Sequence, residues 1–276
     1  MRLFRSWMFV PGSDIKKIEK SKQLSADVVI YDLEDAVSLT EKDSARKLVK
    51  QVVQAEVDRI HFVKINSISS PLFLDDLDAI AEKGLSGIVL PKSENKEQIV
   101  LLDDLLNQFE MKRSIHQKIE IMPLIESASG LYNAYEIAQS SSRIKRLAFG
   151  AVDFSLDIHA ELTKEGTELL YARSQLVVAS RAAGVEPPID AVYLDFKDYE
   201  GLKRETSFVK QLGFQGKLVI HPNQIETVNA VFLPTAAEIE EGIEVSVKKV
   251  RIPFAQDDLY VSWLYHPAIW CDCGIL

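Results

Sequence analysis

Eight short runs rich in Val, Ile and Leu recur along the chain up to Ile220, separated by longer stretches with the spacing of amphipathic helices. Parallel strands covered by helices produce this alternation. Strands are expected at Trp7–Val10, Val28–Asp32, His61–Ile65, Gly87–Leu90, Ile119–Ile125, Arg146–Phe149, Ala191–Leu194 and Lys217–Ile220. Helices are expected at Asp14–Leu24, Glu41–Val57, Phe73–Lys83, Lys96–Phe109, Leu131–Gln139, Glu168–Ala183 and Gly201–Leu212. Gly84, Gly184 and Gly213 follow three of them as C-terminal caps. Eight strand-then-helix units in about 230 residues favour a closed (β/α)8 TIM barrel over an open doubly wound sheet. No GxGxxG opens the first helix, which removes the usual rival. The barrel domain is expected over residues 1–235, with residues 236–276 as a C-terminal extension.

Composition narrows what such a barrel could do. Asp and Glu number 41 against 32 Lys and Arg, a net charge of -9, and no stretch is dense in basic residues. A nucleic-acid partner is therefore not expected. No run of 18 apolar residues occurs, and MRLFRSWMFVPGS is apolar only briefly before Pro11 and Gly12, so membrane residence is not expected and a cytoplasmic location is. Cys271 and Cys273 both lie in the last six residues, which argues against thiolate chemistry within the barrel.

A barrel of this kind builds its site at the C-terminal ends of the strands. The segments found there are VPGS (Val10–Ser13), YDLED (Tyr31–Asp35), VKIN (Val63–Asn66), LPKS (Leu90–Ser93), PLIES (Pro123–Ser127), FGAVDFS (Phe149–Ser155), YLDF (Tyr193–Phe196) and IHPNQ (Ile220–Gln224). Carboxylates emerging from adjacent strands repel each other unless they are protonated, hydrogen-bonded or bridged by a cation. Glu126 and Asp153 end neighbouring strands, and oxygen-only ligation suits Mg2+ or Mn2+ better than zinc; capping or salt-bridged structural roles are the alternative. Asp32, Glu34 and Asp35 divide between the two faces of their strand, some toward the site and some toward a Lys or Arg. Lys64, Lys92 and Arg5, with Arg46 and Arg173 as further candidates, supply positive charge for an anionic substrate. Trp7 and Phe9 are expected to pack in or beneath the barrel, and His221 either contacts substrate or bonds to backbone. The residues alone thus point to a Mg2+-dependent lyase, aldolase or mutase acting on a small carboxylate.

Eight segments in order resemble the citrate lyase beta subunit-like branch of the HpcH/HpaI aldolase family, relatives of malyl-CoA and citramalyl-CoA lyases. They are RSWMFVPGSD (Arg5–Asp14), ADVVIYDLEDAV (Ala26–Val37) with EKDSAR (Glu41–Arg46), VKIN, GIVLPKSE (Gly87–Glu94), PLIESASGLYNAYEIA (Pro123–Ala138), LAFGAVDFSLDI (Leu147–Ile158), ARSQLVVASRAAG (Ala172–Gly184) and LGFQGKLVIHPNQIETVN (Leu212–Asn229). The resemblance implies a TIM barrel with Mg2+ held by Glu126 and Asp153. It also implies cleavage of a short 3-hydroxyacyl thioester of the citryl-, malyl- or citramalyl-CoA type into an oxo acid and an acyl thioester, through a metal-stabilised enolate. Asp32, Glu34 and Lys64 would be the catalytic group. Arg5, Pro11, Ser13, Lys64, Asn66, Lys92, Glu126 and His221 would bind substrate. A related aldolase or thioesterase, or a catalytically weak binding member, is the alternative. A homo-oligomer, trimeric or hexameric, is implied as well, with citrate lyase-type partner subunits a further possibility.

Two positions depart from the family pattern. The third-strand motif usually reads V-R-I-N, and Lys64 stands where that arginine would grip the substrate carboxylate; lysine keeps the charge and loses the bidentate fork. Beyond Lys249 nothing resembles the family's G-K-M-I-D segment, and Asp257, Asp258 and Asp272 carry no motif.

Overall fold

The computed structural model describes residues 4–55 and 59–234. Eight parallel strands close on themselves in chain order: β1 (Ser6–Pro11), β2 (Val28–Asp32), β3 (His61–Lys64), β4 (Gly87–Leu90), β5 (Glu120–Ile125), β6 (Ala148–Phe149), β7 (Ile189–Asp190) and β8 (Gly216–Val219). Around them lie α1 (Ile15–Ser21), α2 (Lys42–Ala55), α3 (Phe73–Ile80), α4 (Lys96–Arg113), α5 (Ala128–Tyr132), α6 (Ala134–Gln139), α7 (Ala151–Asp157), α8 (Leu170–Ala183), α9 (Tyr199–Leu212) and α10 (Ile225–Phe232). This is the expected (β/α)8 barrel. The extension expected at 236–276, with its aspartates and both cysteines, lies outside the described residues.

Strand alternation separates two apolar layers. Trp7, Ile30, Phe62, Val89, Leu124, Ile189 and Leu218 are among the side chains filling the barrel. Met8, Tyr31, Val63, Ile88 and Ile125 are among those on the outer face beneath the helices. Trp7 and Phe62 meet edge to face at 5.0 Å, and Gly87 is a glycine because a Cβ there would enter the Phe62 ring. At the base the Arg146 guanidinium lies 5.3 Å from the Trp7 ring and bonds to Glu186 at 2.6 Å, so Trp7 packs where it was expected.

The same alternation aims the site. Asp32, Lys64 and Glu126 each stand two residues past an interior side chain, Ile30, Phe62 and Leu124, and so share its face one layer higher. A strand is long enough to fill the barrel and then carry one polar residue to its rim.

Several expectations are corrected. The seventh strand is Ile189–Asp190, not Ala191–Leu194. It starts directly after Pro187 and Pro188, and the AVYL run has already left the ladder. The helix expected at Leu131–Gln139 is two, α5 and α6, meeting at Asn133. Gly184 and Gly213 are left-handed caps as expected, whereas α3 ends at Ile80 with Ala81 as its cap and Gly84 belongs to the following turn. Two helices, α7 and α10, occupy stretches where none was expected.

The basic residues beyond Lys64 and Lys92 also move away from the mouth. Arg5 precedes β1 at the opposite, N-terminal end, where its guanidinium grips Asp27 at 2.8 Å and 2.9 Å; it does not reach a substrate site at the strand C-termini. Arg46 is buried against Asp76 at 2.7 Å. Arg173 is buried against Asp190, within a cluster that includes Lys217 and Glu205. Both arginines belong to the layer between helices and sheet, because the carboxylates they need meet them there, Asp190 from the outer face of β7 and Asp76 from the inner face of α3.

Candidate active site

The acidic turn after β2 is built first by backbone. The Asp32 carbonyl accepts the Gly12 N–H at 2.8 Å, and Gly12 has no side chain because a Cβ would lie 2.8 Å from that oxygen. Asp32 Oδ1 then accepts the N–H of Glu34 at 2.6 Å, turning the chain so that both carboxylates face the mouth. From β3, Lys64 Nζ sits 2.7 Å from Glu34 Oε2 and 2.7 Å from Asp35 Oδ2. Lys92 Nζ, just past β4, reaches Glu34 Oε1 at 3.3 Å. A chain of alternating charge thus runs across three adjacent strands.

Lys92 also connects to Glu126. Its backbone is left-handed, with φ of 50°, and in that conformation its main-chain N–H meets Glu126 Oε1 at 2.7 Å. On the other side of Glu126 stands Gly150, where a Cβ would lie 2.7 Å from the Glu126 Cβ and 2.8 Å from Oε2. A glycine here lets the β6–α7 junction close on the carboxylate. Asp153 follows in the first turn of α7, exposed, and its charge adds to the field on Glu126.

The electrostatics reflect a site with more carboxylates than cations. Burial, reinforced by Asp153 and Glu34, pushes the Glu126 carboxyl up to about 8, against the opposing effect of Lys64 and of the Lys92 N–H. Burial likewise raises Asp32, with Lys64 opposing. Burial alone would depress Lys64, but Asp32, Glu34, Glu126 and Asp35 outweigh it and hold the ammonium charged far above neutral pH.

Among the described residues no three His, Cys, Asp or Glu side chains form a metal cluster. The fit to a hard divalent cation rests instead on two carboxylates, Glu126 and Asp153. A carboxyl whose ionisation is suppressed by burial and by neighbouring carboxylates, in spite of Lys64, is suited to such a cation, with water and substrate oxygens filling the remaining positions.

Beside this acidic group opens a cavity of about 250 Å3, lined by Phe9, Pro11, Ala36, Val192 and Ile220 with Asp32 and Lys64 on its polar edge. Phe9 therefore packs in the barrel, against its interior cluster, and also faces the cavity. Ser13 is half-buried in the loop that follows Pro11. Asn66, expected to touch substrate, is buried behind the turn: its Nδ2 donates to Leu33 O and Asp76, and its Oδ1 accepts from Lys42. His221 stacks on Phe196 at 4.7 Å and its Nδ1 accepts the Asn223 N–H, the backbone-bonded alternative.

Residues 5–222 match the HpcH/HpaI aldolase/citrate lyase family. The chain belongs to this family. It is 41% identical to citrate lyase subunit beta of Leuconostoc mesenteroides subsp. cremoris over 249 residues, 88% of this chain and 82% of that one. Human mitochondrial citramalyl-CoA lyase is 34% identical over 87% of this chain and 74% of its own. Among solved structures, the citrate lyase beta subunit from M. tuberculosis complexed with oxaloacetate and magnesium superposes with a TM-score of 0.72 at 28% identity, covering 84% of this chain and 98% of that one. Protein CitE from Mycobacterium tuberculosis in complex with magnesium, acetoacetate and coenzyme A gives 0.74 at 27%, covering 93% and 92%.

Sequence reasoning missed three contributors to this family's site in the present chain. Lys42 is buried under the acidic turn, Gly150 admits Glu126, and the Lys92 main chain, not only its ammonium, holds that carboxylate. Lys42 lies inside the EKDSAR segment, and the sign that marks it is a lysine at the start of an amphipathic helix on a position that faces the sheet. A residue's backbone angle leaves no comparable mark.

Proposed function

We propose that the chain is a Mg2+-dependent carbon–carbon lyase that cleaves a short 3-hydroxyacyl thioester into an oxo acid and an acyl thioester. The observation that carries this reading is the convergence of Glu126, Asp32, Glu34, Lys64 and Lys92 at the barrel mouth, beside a cavity that Asp32 and Lys64 line, in a member of this family. Glu126 and Asp153 would hold the cation, which when bound supplies Lewis-acid stabilisation for negative charge developing on substrate oxygens. Lys64, at the polar edge of the cavity, is placed to pair with a substrate carboxylate, exchanging part of its contact with Glu34 and Asp35 for it. Asp32, with its carboxyl raised and on the cavity wall, is placed to move a proton between the substrate and the site. The apolar side formed by Phe9, Val192 and Ile220 excludes water from the reacting carbons.

No helix of the described residues is long and apolar enough to cross a membrane. Homo-oligomerisation is supported by Tyr132 and Tyr171, left 89% and 72% exposed on the neighbouring helices α5 and α8. The deciding experiment for activity is incubation with Mg2+ and citryl-, malyl- and citramalyl-CoA, followed by assay of oxo-acid release. Release from at least one of them is expected, abolished by chelation; no release from any overturns the lyase reading.

A further inference from the structure

Where β2 leaves the sheet its peptide groups lose their regular partners, and each must find another. The Asp32 carbonyl has Gly12, the Leu33 N–H donates to the Lys64 carbonyl at 2.8 Å, and the Glu34 N–H has Asp32 Oδ1. The carbonyls of Leu33 and Glu34 each have one long partner, Asn66 Nδ2 at 3.1 Å and the Val37 N–H at 3.3 Å, and each keeps a lone pair for a second. Lys42, the first residue of α2, is buried to 5% exposure and donates from Nζ to both, at 2.5 Å and 2.6 Å. Its third donor goes to Asn66 Oδ1 at 3.1 Å. An ammonium has three protons, and here all three meet neutral acceptors.

Placing a charge in that position is costly, and burial does lower the pKa of the Lys42 ammonium, opposed by the charges of Asp76, Asp32, Glu34 and Asp35. A hydroxyl has one proton to give and a carboxamide two; the three of the compact ammonium reach two successive carbonyls and a third group from one point. Fixing the carbonyls of residues 33 and 34 fixes the peptide planes on both sides of Glu34. That in turn sets the direction in which its carboxylate leaves the chain, toward Lys64 and Lys92.

We propose that Lys42 is a positioning residue of this site: its ammonium, clamped on two consecutive carbonyls from behind, aims the carboxylates of Asp32 and Glu34 at the mouth without touching substrate. The kinetic part of its test rests on the lyase reading; the structural part does not.

The first arm compares amide hydrogen exchange of the metal-free wild type, Lys42→Met and, as a control for losing a buried cation far from the turn, Arg143→Met. Lys42→Met is expected to speed exchange across residues 33–37 on the order of 10-fold, the consequence of removing charge-assisted hydrogen bonds, with the ends of β5 and β8 unchanged. Arg143→Met is expected to leave 33–37 at wild-type rates. Unchanged exchange in Lys42→Met overturns the proposal. The second arm measures turnover at saturating Mg2+ and thioester. Here Lys42→Met is expected to lower kcat by roughly 100-fold while KM and Mg2+ affinity stay near wild type, and Arg143→Met to lower the Tm with kcat retained. Loss of kcat in both variants in step with Tm overturns the positioning role. Should Lys42→Met not fold, Lys42→Arg decides. It keeps the charge but cannot place the same three donors, so both changes should appear at smaller amplitude, and wild-type behaviour in both arms overturns the assignment. A wild type inert toward every thioester overturns the lyase reading, while the exchange arm still settles the clamp.

Discussion

Replacing Glu126 by Gln should stabilise the metal-free protein at neutral pH while removing its response to Mg2+. The carboxyl is pushed up to about 8 in the folded chain, mainly by burial, against about 4.3 for a glutamate in an unfolded one. Between those two values the unfolded state releases a proton that the folded state keeps, so the unfolded state binds fewer protons and stability falls as pH rises. By pH 7 the accumulated loss is about 3.6 kcal/mol, and above pH 8 it levels off near 5 kcal/mol. Glutamine accepts the same Lys92 N–H bond and has no proton to lose. Thermal unfolding in a chelator is the assay. Near pH 4.5 wild type and Glu126→Gln should melt together. At pH 7 the variant should melt roughly 7–14 °C higher, given about 2–4 °C per kcal/mol for a chain of this size. Adding Mg2+ at about 100 times its Kd should restore roughly 2.7 kcal/mol to the wild type and nothing to the variant. A variant that melts with or below the wild type at pH 7 to 8 in chelator would refute the buried-acid account. One that still gains stability from Mg2+ would remove Glu126 from the ligand set.

Gly150→Ala should weaken Mg2+ binding about 10- to 100-fold by calorimetry, since a Cβ 2.7 Å from that of Glu126 must displace the carboxylate or α7; unaltered affinity would mean that the junction yields freely. Lys64→Arg restores the fork, and kcat/KM toward the best thioester should rise about 10-fold or more. A fall would instead show that the pocket is shaped around lysine and its two carboxylates. Lys217→Met leaves fully buried Asp190 with Arg173 alone and should cost about 3–5 kcal/mol in denaturant unfolding. Its Mg2+ affinity should stay at the wild-type value, because that cluster lies on the outer face of the sheet.

The strands were legible wherever an apolar run coincided with a ladder, as at Val28–Asp32 and Gly87–Leu90, whose ends are the same in sequence and structure. At β7 the two part company: IDAVYL is apolar past Asp190, but only Ile189 and Asp190 pair with the neighbouring strands, although β8 itself runs on to Val219, and the length of a ladder is not written in a single run. Polar residues were legible by type and by strand, since Asp32, Lys64 and Glu126 each fall two residues beyond an interior side chain. The end of the barrel at which a charge stands follows from its place along a parallel strand: Arg5 precedes its strand and stands at the base, whereas Lys64 ends one and stands at the mouth. What sequence could not supply was the partner that each charge finds there. The acidic excess divides in the same way. Asp76 and Asp190 neutralise arginines beneath the helices, whereas Glu126 and Asp32 have their acidity suppressed by burial at the rim. Suppressed acidity at converging strand ends, more than the number of acids, is the physical mark that separates the site from the scaffold.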